Sequence, residues 1–267
     1  MDSQEPVIDT TVPHSARVWN YWLGGKDNYP VDREAGDQFL SVFPGIARMA
    51  RASRAFQTRA VRHLAGEKGI KQFLDVGTGL PTVNNTHEVA QSVVPEARIV
   101  YVDNDPLVLT HARALLTSAP EGRTQYIHAD LYEPEKILEQ AGEFLDLEQP
   151  VGLMLLGILG HVQQYQDAVS IVRRLLAGLP FGSYLTISEG SNVHSTENVE
   201  AQDEYNESGA VPYIPRSPEQ IGGYLEGLEL VEPGLVSVTR WRPEVTSDAL
   251  PAEVDQYGGV GQKVEGK

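Results

Sequence analysis

The sequence contains no cysteine, which excludes disulfide scaffolds, cysteine-ligated zinc, iron–sulfur clusters and any thiol nucleophile. Basic residues are scarce: 21 Lys plus Arg stand against 37 Asp plus Glu, a formal charge of −16. Coating nucleic acid requires a basic face to neutralise phosphates, and an anionic membrane surface makes the same demand, so neither partner is expected. No run of 18 apolar residues occurs, so no membrane-spanning helix is expected. The first ten residues hold three acids and no apolar core, unlike a secretory signal. The seven histidines, at 14, 63, 87, 111, 128, 161 and 194, form no H-x-x-x-H pair, and no metal site is expected. A G-x-S-x-G elbow is also missing, which speaks against a Ser-His-Asp hydrolase. What remains is a soluble, acidic, cytoplasmic globular protein of 267 residues, long enough to bury a large core.

The pattern divides at about residue 66. Residues 1–66 read as an N-terminal helical cap, with helices over 15–23 (Ser15 as N-cap, Gly24-Gly25 as stop), 32–43 and 46–64. The third helix carries Arg48, Arg51, Arg54, Arg59 and Arg62, which read as a solvated basic face. Residues 67–245 form the second unit. Apolar β-type runs at 73–77, 97–102, 123–129, 151–156 and 184–188 alternate with helical stretches at 80–90 (Pro81 in the first turn), 105–116, 134–145 and 168–179. Such alternation implies a parallel sheet with helices on both faces. A helix over 218–227 and one or two strands over 228–241 follow. Residues 246–267, polar and glycine-rich, read as a mobile C-terminal tail.

The chemistry concentrates where strands end. Asp75-Val-Gly77-Thr78-Gly79 is a glycine turn between a strand and a helix, the place where open α/β sheets bind nucleotides. A dinucleotide fingerprint would need a third glycine where Thr82 stands, and no G-x-x-x-x-G-K-[ST] loop is present. The acid two residues before the first glycine suits a cofactor bearing ammonium and sulfonium groups. Asp103, at the end of the next strand, is placed to accept hydrogen bonds from both hydroxyls of a ribose. Asp130, at the end of the third, is placed to accept from an adenine amino group. Any one of these acids alone is more simply a helix cap; three after three consecutive strands are not so easily explained.

Asp75-x-Gly77-x-Gly79, Asp103, Asp130 and the Pro180-x-Gly182 turn resemble the cofactor motifs of class I S-adenosylmethionine-dependent methyltransferases. The stretch from His14 to Asn28, the Trp241-Arg242-Pro243 triplet and the run from Tyr257 to Lys263 resemble one bacterial family within that class, the S-adenosyl methyltransferases, formerly a domain of unknown function. The resemblance spans residues 8–263. It implies a Rossmann-like fold with a mostly parallel seven-stranded sheet, and S-adenosylmethionine as cofactor. It also implies cofactor contacts at Asp75, Gly77, Thr78, Gly79, Asp103, Asn104, Asp130 and Leu131, and at Tyr21 in a lid formed by the N-terminal helix. The acceptor is expected to be a small molecule. Leu156-Gly-Ile-Leu-Gly-His161 departs from the Asn-Pro-Pro-Tyr-type motif of amino-group methylation. His161, after the fourth strand, is the candidate general base, against a plain structural role. Glu189 and His194 are weaker candidates. Two rivals stand beside this reading: a protein that binds the cofactor without transfer, and an NAD(P) dehydrogenase, whose fingerprint would need the third glycine that is missing here.

Overall fold

The computed structural model describes residues 9–108, 110, 118–244 and 251–266. Three helices open the chain: α1 (Ser15–Trp22), α2 (Pro30–Val42) and α3 (Ile46–Gly66). Next come β1 (Gln72–Val76), α4 (Thr86–Val93), β2 (Arg98–Asp103), β3 (Arg123–His128), α5 (Pro134–Gly142), β4 (Gly152–Leu156), α6 (Tyr165–Ala177) and β5 (Tyr184–Gly190). The chain then runs through α7 (Thr196–Asn206), α8 (Pro218–Gly223), β6 (Glu229–Leu230), β7 (Val236–Ser237) and β8 (Gln256–Gln262). The expected helix over 105–116 falls largely outside the described residues; 106–108 are helical.

The strands form one sheet of order β3-β2-β1-β4-β5-β8-β6, with β7 also paired to β8. The first five are parallel, and β8 runs antiparallel to β5, from Tyr184 opposite Gln262 to Gly190 opposite Gln256. The sheet therefore has eight strands rather than seven. The extra one arises because β6 and β7 share one edge of β8, split by residues 231–235. Strands β1 and β4 are buried on both faces, as their nearly continuous apolar runs demand. Alternate residues feed two cores. Leu74, Val76 and Leu153 join α5, α6 and α8 on one face; Phe73, Ile99 and Met154 join α1–α4 and α7 on the other.

Several local expectations change. The cap of α1 is His14, whose Nδ1 accepts the Ala16 N–H, rather than Ser15. Helix α4 starts at Thr86, not at residue 80: Asn85 caps it and the Glu88 carboxylate accepts the Asn85 N–H at 2.7 Å. This capping box outweighs Pro81 as a start signal. The basic face of α3 is not simply solvated. Arg59 donates to the carbonyls of Trp241 and Val238, Arg48 to that of Ala252, and Arg62 pairs with Glu244. Residues 256–262 form β8 rather than a loose tail, and a boundary at residue 245 cuts β8 from its sheet. The glycines that make this segment look mobile are required by close packing. A Cβ on Gly258 would lie 2.9 Å from both the Ile187 carbonyl oxygen and the Phe56 ring, closer than such atoms approach.

Candidate active site

A cavity of about 240 Å³ opens at the carboxyl ends of β1, β2, β4 and β5. Its floor is Asp75, Gly77, Thr78, Gly79, Asp103 and Asn104. Gly77 and Gly79 have φ of +75° and +65°, which only glycine adopts without strain. A Cβ on Gly77 would drive into the Ile158 side chain, whereas one on Gly79 would meet nothing nearer than Ala16 Cβ at 4.0 Å. The first glycine thus packs the turn against the strand-four loop, and the second leaves backbone open to the cavity.

The acids do distinct things. Asp103 accepts the N–H of Gly79 and of Asp105, each at 2.9 Å, and burial raises its pKa. A carboxylate has about four lone-pair positions, so capacity remains for the two hydroxyls of a ribose. Asp75 is buried and accepts the Thr86 hydroxyl at 2.6 Å. Burial pushes its carboxyl up to about 6, opposed by Thr86 and by the nearby Arg54 guanidinium. Thr82 Oγ1 is buried at the cavity without a hydrogen-bond partner among the described residues. An open glycine turn, a carboxylate with acceptor capacity left over, an unpartnered hydroxyl and a second buried carboxylate fit S-adenosylmethionine.

Three of the expected contact residues lie outside the cavity lining among the described residues. Tyr21 points away from the cavity and donates to Asp37 at 2.6 Å. Its neighbours Trp19 and Trp22 do line the space, with ring centroids 5.9 Å apart. The 100° advance per helical residue separates the faces of 19 and 22 from that of 21. Asp130 folds back to accept the Tyr132 N–H at 2.9 Å, the turn role that such acids commonly serve. Leu131 is packed in the core with Ile127 and Ile137. Neither lines the cavity among the described residues.

The wall beyond the glycine turn is built from β4, β5 and α7. His161 closes a 3₁₀ turn (Leu159–His161) and lines the cavity. Its Nδ1 lies 3.0 Å from the Pro212 carbonyl. A carbonyl only accepts, so Nδ1 carries the proton and Nε2 a lone pair. Burial holds the imidazolium below the ordinary histidine value, with the Pro212 carbonyl working the other way. The Tyr213 ring stands edge-on to His161 at 5.1 Å. Behind both sits Glu189, fully buried, accepting the N–H groups of Leu159 and Gly160 and the Tyr213 hydroxyl at 2.9, 3.1 and 2.7 Å. Burial pushes Glu189 up to about 7 against those donors. It clamps the turn before His161 to the loop that holds its tautomer, and does not face the cavity. His194 lies elsewhere, near Tyr257 and Glu253.

The residues that sequence reasoning misses come mostly from α7 and α3. Asn198, Gln202 and Tyr205 of α7 and Arg54 and Gln57 of α3 all line the cavity. Helix α7 is polar along almost its whole length, so it carries no apolar periodicity; its one signal is Ser195, whose hydroxyl caps Asn198 N–H. Among the described residues, no group of three or more His, Cys, Asp or Glu could hold a metal ion, and no helix is long and apolar enough to cross a membrane.

A parallel sheet closed by one reversed strand, with a glycine turn after its first strand, is the architecture of the class I methyltransferases that use S-adenosylmethionine. A family model described as S-adenosyl methyltransferase matches residues 1–264, and the chain belongs to that family. It is similar to a DUF574 family protein from Streptomyces avermitilis, at 48% identity and a TM-score of 0.91, covering 96% of this chain and 100% of that one. A candidate methyltransferase from Thermobifida fusca is 39% identical with a TM-score of 0.87, covering 96% and 97%. An O-methyltransferase family protein from Burkholderia thailandensis shares the fold at 12% identity and a TM-score of 0.55, over 93% of this chain and 64% of that one. A search of curated proteins finds no match. The protein is an S-adenosylmethionine-dependent methyltransferase.

Proposed function

We propose that the acceptor is a small molecule carrying a hydroxyl group, bound between the end of β4 and α7, and that His161 removes its proton. The cofactor supplies a methyl group on a sulfonium and departs as a neutral thioether. The carrying observation is the bond from His161 Nδ1 to the Pro212 carbonyl, which leaves Nε2 as a base on a ring lining the cavity. Transfer is an in-line displacement: the acceptor oxygen bonds to the methyl carbon, the carbon–sulfur bond breaks, and the proton passes to Nε2. Positioning then does much of the work. Trp19, Trp22, Met49 and Tyr205 give this part of the wall an apolar, aromatic character, while Asn198 and Gln202 offer directional polar groups; few well-placed polar groups in an apolar site favour a small molecule. An acceptor that is a free amine needs no base, so His161 supports the hydroxyl reading over it.

The test is incubation with methyl-labelled S-adenosylmethionine and matched panels of phenols, hydroxy acids and amines. Thioether release with hydroxyl acceptors is expected. Turnover confined to amines would overturn the hydroxyl assignment, and binding of the cofactor with no turnover across a broad panel would favour the non-transferring alternative. For the cofactor half, Asp103→Ala is expected to weaken S-adenosylhomocysteine binding by about 1.5–3 kcal/mol, roughly 10- to 150-fold, in calorimetry. Unchanged affinity would remove Asp103 from the ribose role. Lowering the pH through about 6 should also weaken binding, as Asp75 takes up a proton and no longer faces the cofactor's ammonium as an anion.

A further inference from the structure

Arg54 is the only Arg or Lys among the described residues that line the cavity, and no carboxylate lies within ion-pair distance of its guanidinium among those residues. Its one hydrogen bond begins a chain. Arg54 Nη1 donates to Gln57 Oε1 at 2.6 Å, Gln57 Nε2 donates to Thr86 Oγ1 at 2.8 Å, and Thr86 Oγ1 donates to Asp75 Oδ2 at 2.6 Å. Gln57, Thr86 and Asp75 are all buried. The direction of every link is set. Asp75 as an anion only accepts, so the Thr86 hydrogen goes there; Thr86 must then accept from the Gln57 amide, whose oxygen is left to face Arg54. The chain holds the guanidinium at one end of a rigid polar strip and a carboxylate at the other, both on the cavity. Four of the five guanidinium N–H donors remain outside the chain. A cation placed in a partly desolvated cavity without a carboxylate partner is stable there when an anion arrives to complete it.

We propose that Arg54 binds the α-carboxylate of the cofactor's methionyl end, and that Arg54 and Asp75 together form a cradle for the amino-acid zwitterion, Asp75 taking the ammonium. This rests on the reading that the glycine-turn cavity is the cofactor site. The planar fork of arginine suits a carboxylate through two parallel bonds, and α3 leads directly into β1, so the cradle is built where the glycine turn begins. The structure favours this over a purely structural ion pair because Arg54 reaches Asp75 only through Gln57 and Thr86.

The test compares S-adenosylhomocysteine with its decarboxylated analogue, S-adenosyl-3-thiopropylamine, by calorimetry on the full chain. The wild-type protein is expected to prefer the carboxylated ligand by about 30-fold or more, the scale of a charge-assisted bidentate contact. Arg54→Met should erase that preference while leaving the affinity for the analogue within about threefold, since its remaining contacts are untouched. Arg54→Lys, which keeps the charge without the fork, should retain part of the preference. Equal binding of both ligands by the wild type would overturn the proposal even if Arg54→Met fails to fold, and so would a preference that survives in Arg54→Met. Asp103→Ala separates this from the cofactor-site reading: it should weaken both ligands alike, and if it weakens neither, that reading fails instead.

Discussion

Arg17→Ala is expected to lower the free energy of unfolding by about 3–5 kcal/mol, the usual loss when one partner of a buried ion pair is removed. For a chain of this size that is a fall of roughly 6–20 °C in Tm. Arg17 is 3% exposed and Asp32 0%, and Arg17 Nε meets both Asp32 oxygens at 3.0 and 2.9 Å. The rest of the guanidinium binds the carbonyls of Asp9 and Val12, while Asp32 also accepts the N–H groups of His14 and Tyr29. One ion pair therefore ties the lead-in, the start of α1 and the start of α2 together. Removing the cation strands a carboxylate in the core. Because α1 supplies Trp19 and Trp22 to the cavity, the same variant should weaken S-adenosylhomocysteine binding. Thermal unfolding and calorimetry read the two effects separately. A midpoint within 1–2 °C of the wild type would show that the pair is replaceable, as some buried pairs are by apolar residues. In that event the double variant Arg17→Met/Asp32→Leu should be at least as stable as the wild type.

His161→Gln is expected to reduce turnover by about 10²- to 10⁴-fold on a hydroxyl acceptor, the range for a lost general base. Affinity for S-adenosylhomocysteine should stay nearly unchanged. The pH profile gives a second, independent reading. Burial holds His161 below the ordinary value of 6.5, so the neutral base is present at pH 7 and is lost only as the pH falls through that lowered value. With the cofactor saturating, wild-type kcat/KM for the acceptor should thus carry an acid limb that His161→Gln lacks. Stability follows the same sign: the unfolded chain takes up a proton on this residue more readily than the folded protein does. The contribution is intact above about pH 6.5 and declines as the pH drops below it. Nitrogen-15 spectra of the histidines, which need no acceptor, should show His161 protonated on Nδ1 in the neutral protein. A predominant Nε2–H tautomer, or turnover undiminished in His161→Gln, would end the general-base assignment. Tyr213→Phe removes one of the clamps behind His161 and should shift that tautomer balance without touching the cavity floor.

Much of this molecule is legible from residue patterns. The alternating apolar runs from Phe73 onward specify a parallel sheet because strands buried on both faces must be apolar throughout. Asp75, Gly77, Gly79 and Asp103 mark the turn that floors the cavity, because positive φ and close backbone approach leave few residue choices. Local capping is less legible. Pro81 and the Asn85–Glu88 box compete for the same helix start, and only the reciprocal hydrogen bond decides between them. The tail-like glycines near Gly258 mislead for a related reason: glycine marks a mobile segment and a tightly packed strand equally well, and the neighbours Ile187 and Phe56 settle which.

By itself, then, the sequence determined the fold class and the glycine turn after the first strand, since these depend on periodicity and on backbone angles carried by a few adjacent residues, while the cofactor was carried by motifs that resemble a known family. The tertiary structure decided the rest. That Arg54 reaches Asp75 through Gln57 and Thr86, that Pro212 sets the tautomer of His161, that polar α7 forms a cavity wall and that Tyr21 turns outward are all contacts between distant segments or choices of helix face. No local pattern encodes them, because each depends on which surfaces meet once the apolar faces of the sheet are covered.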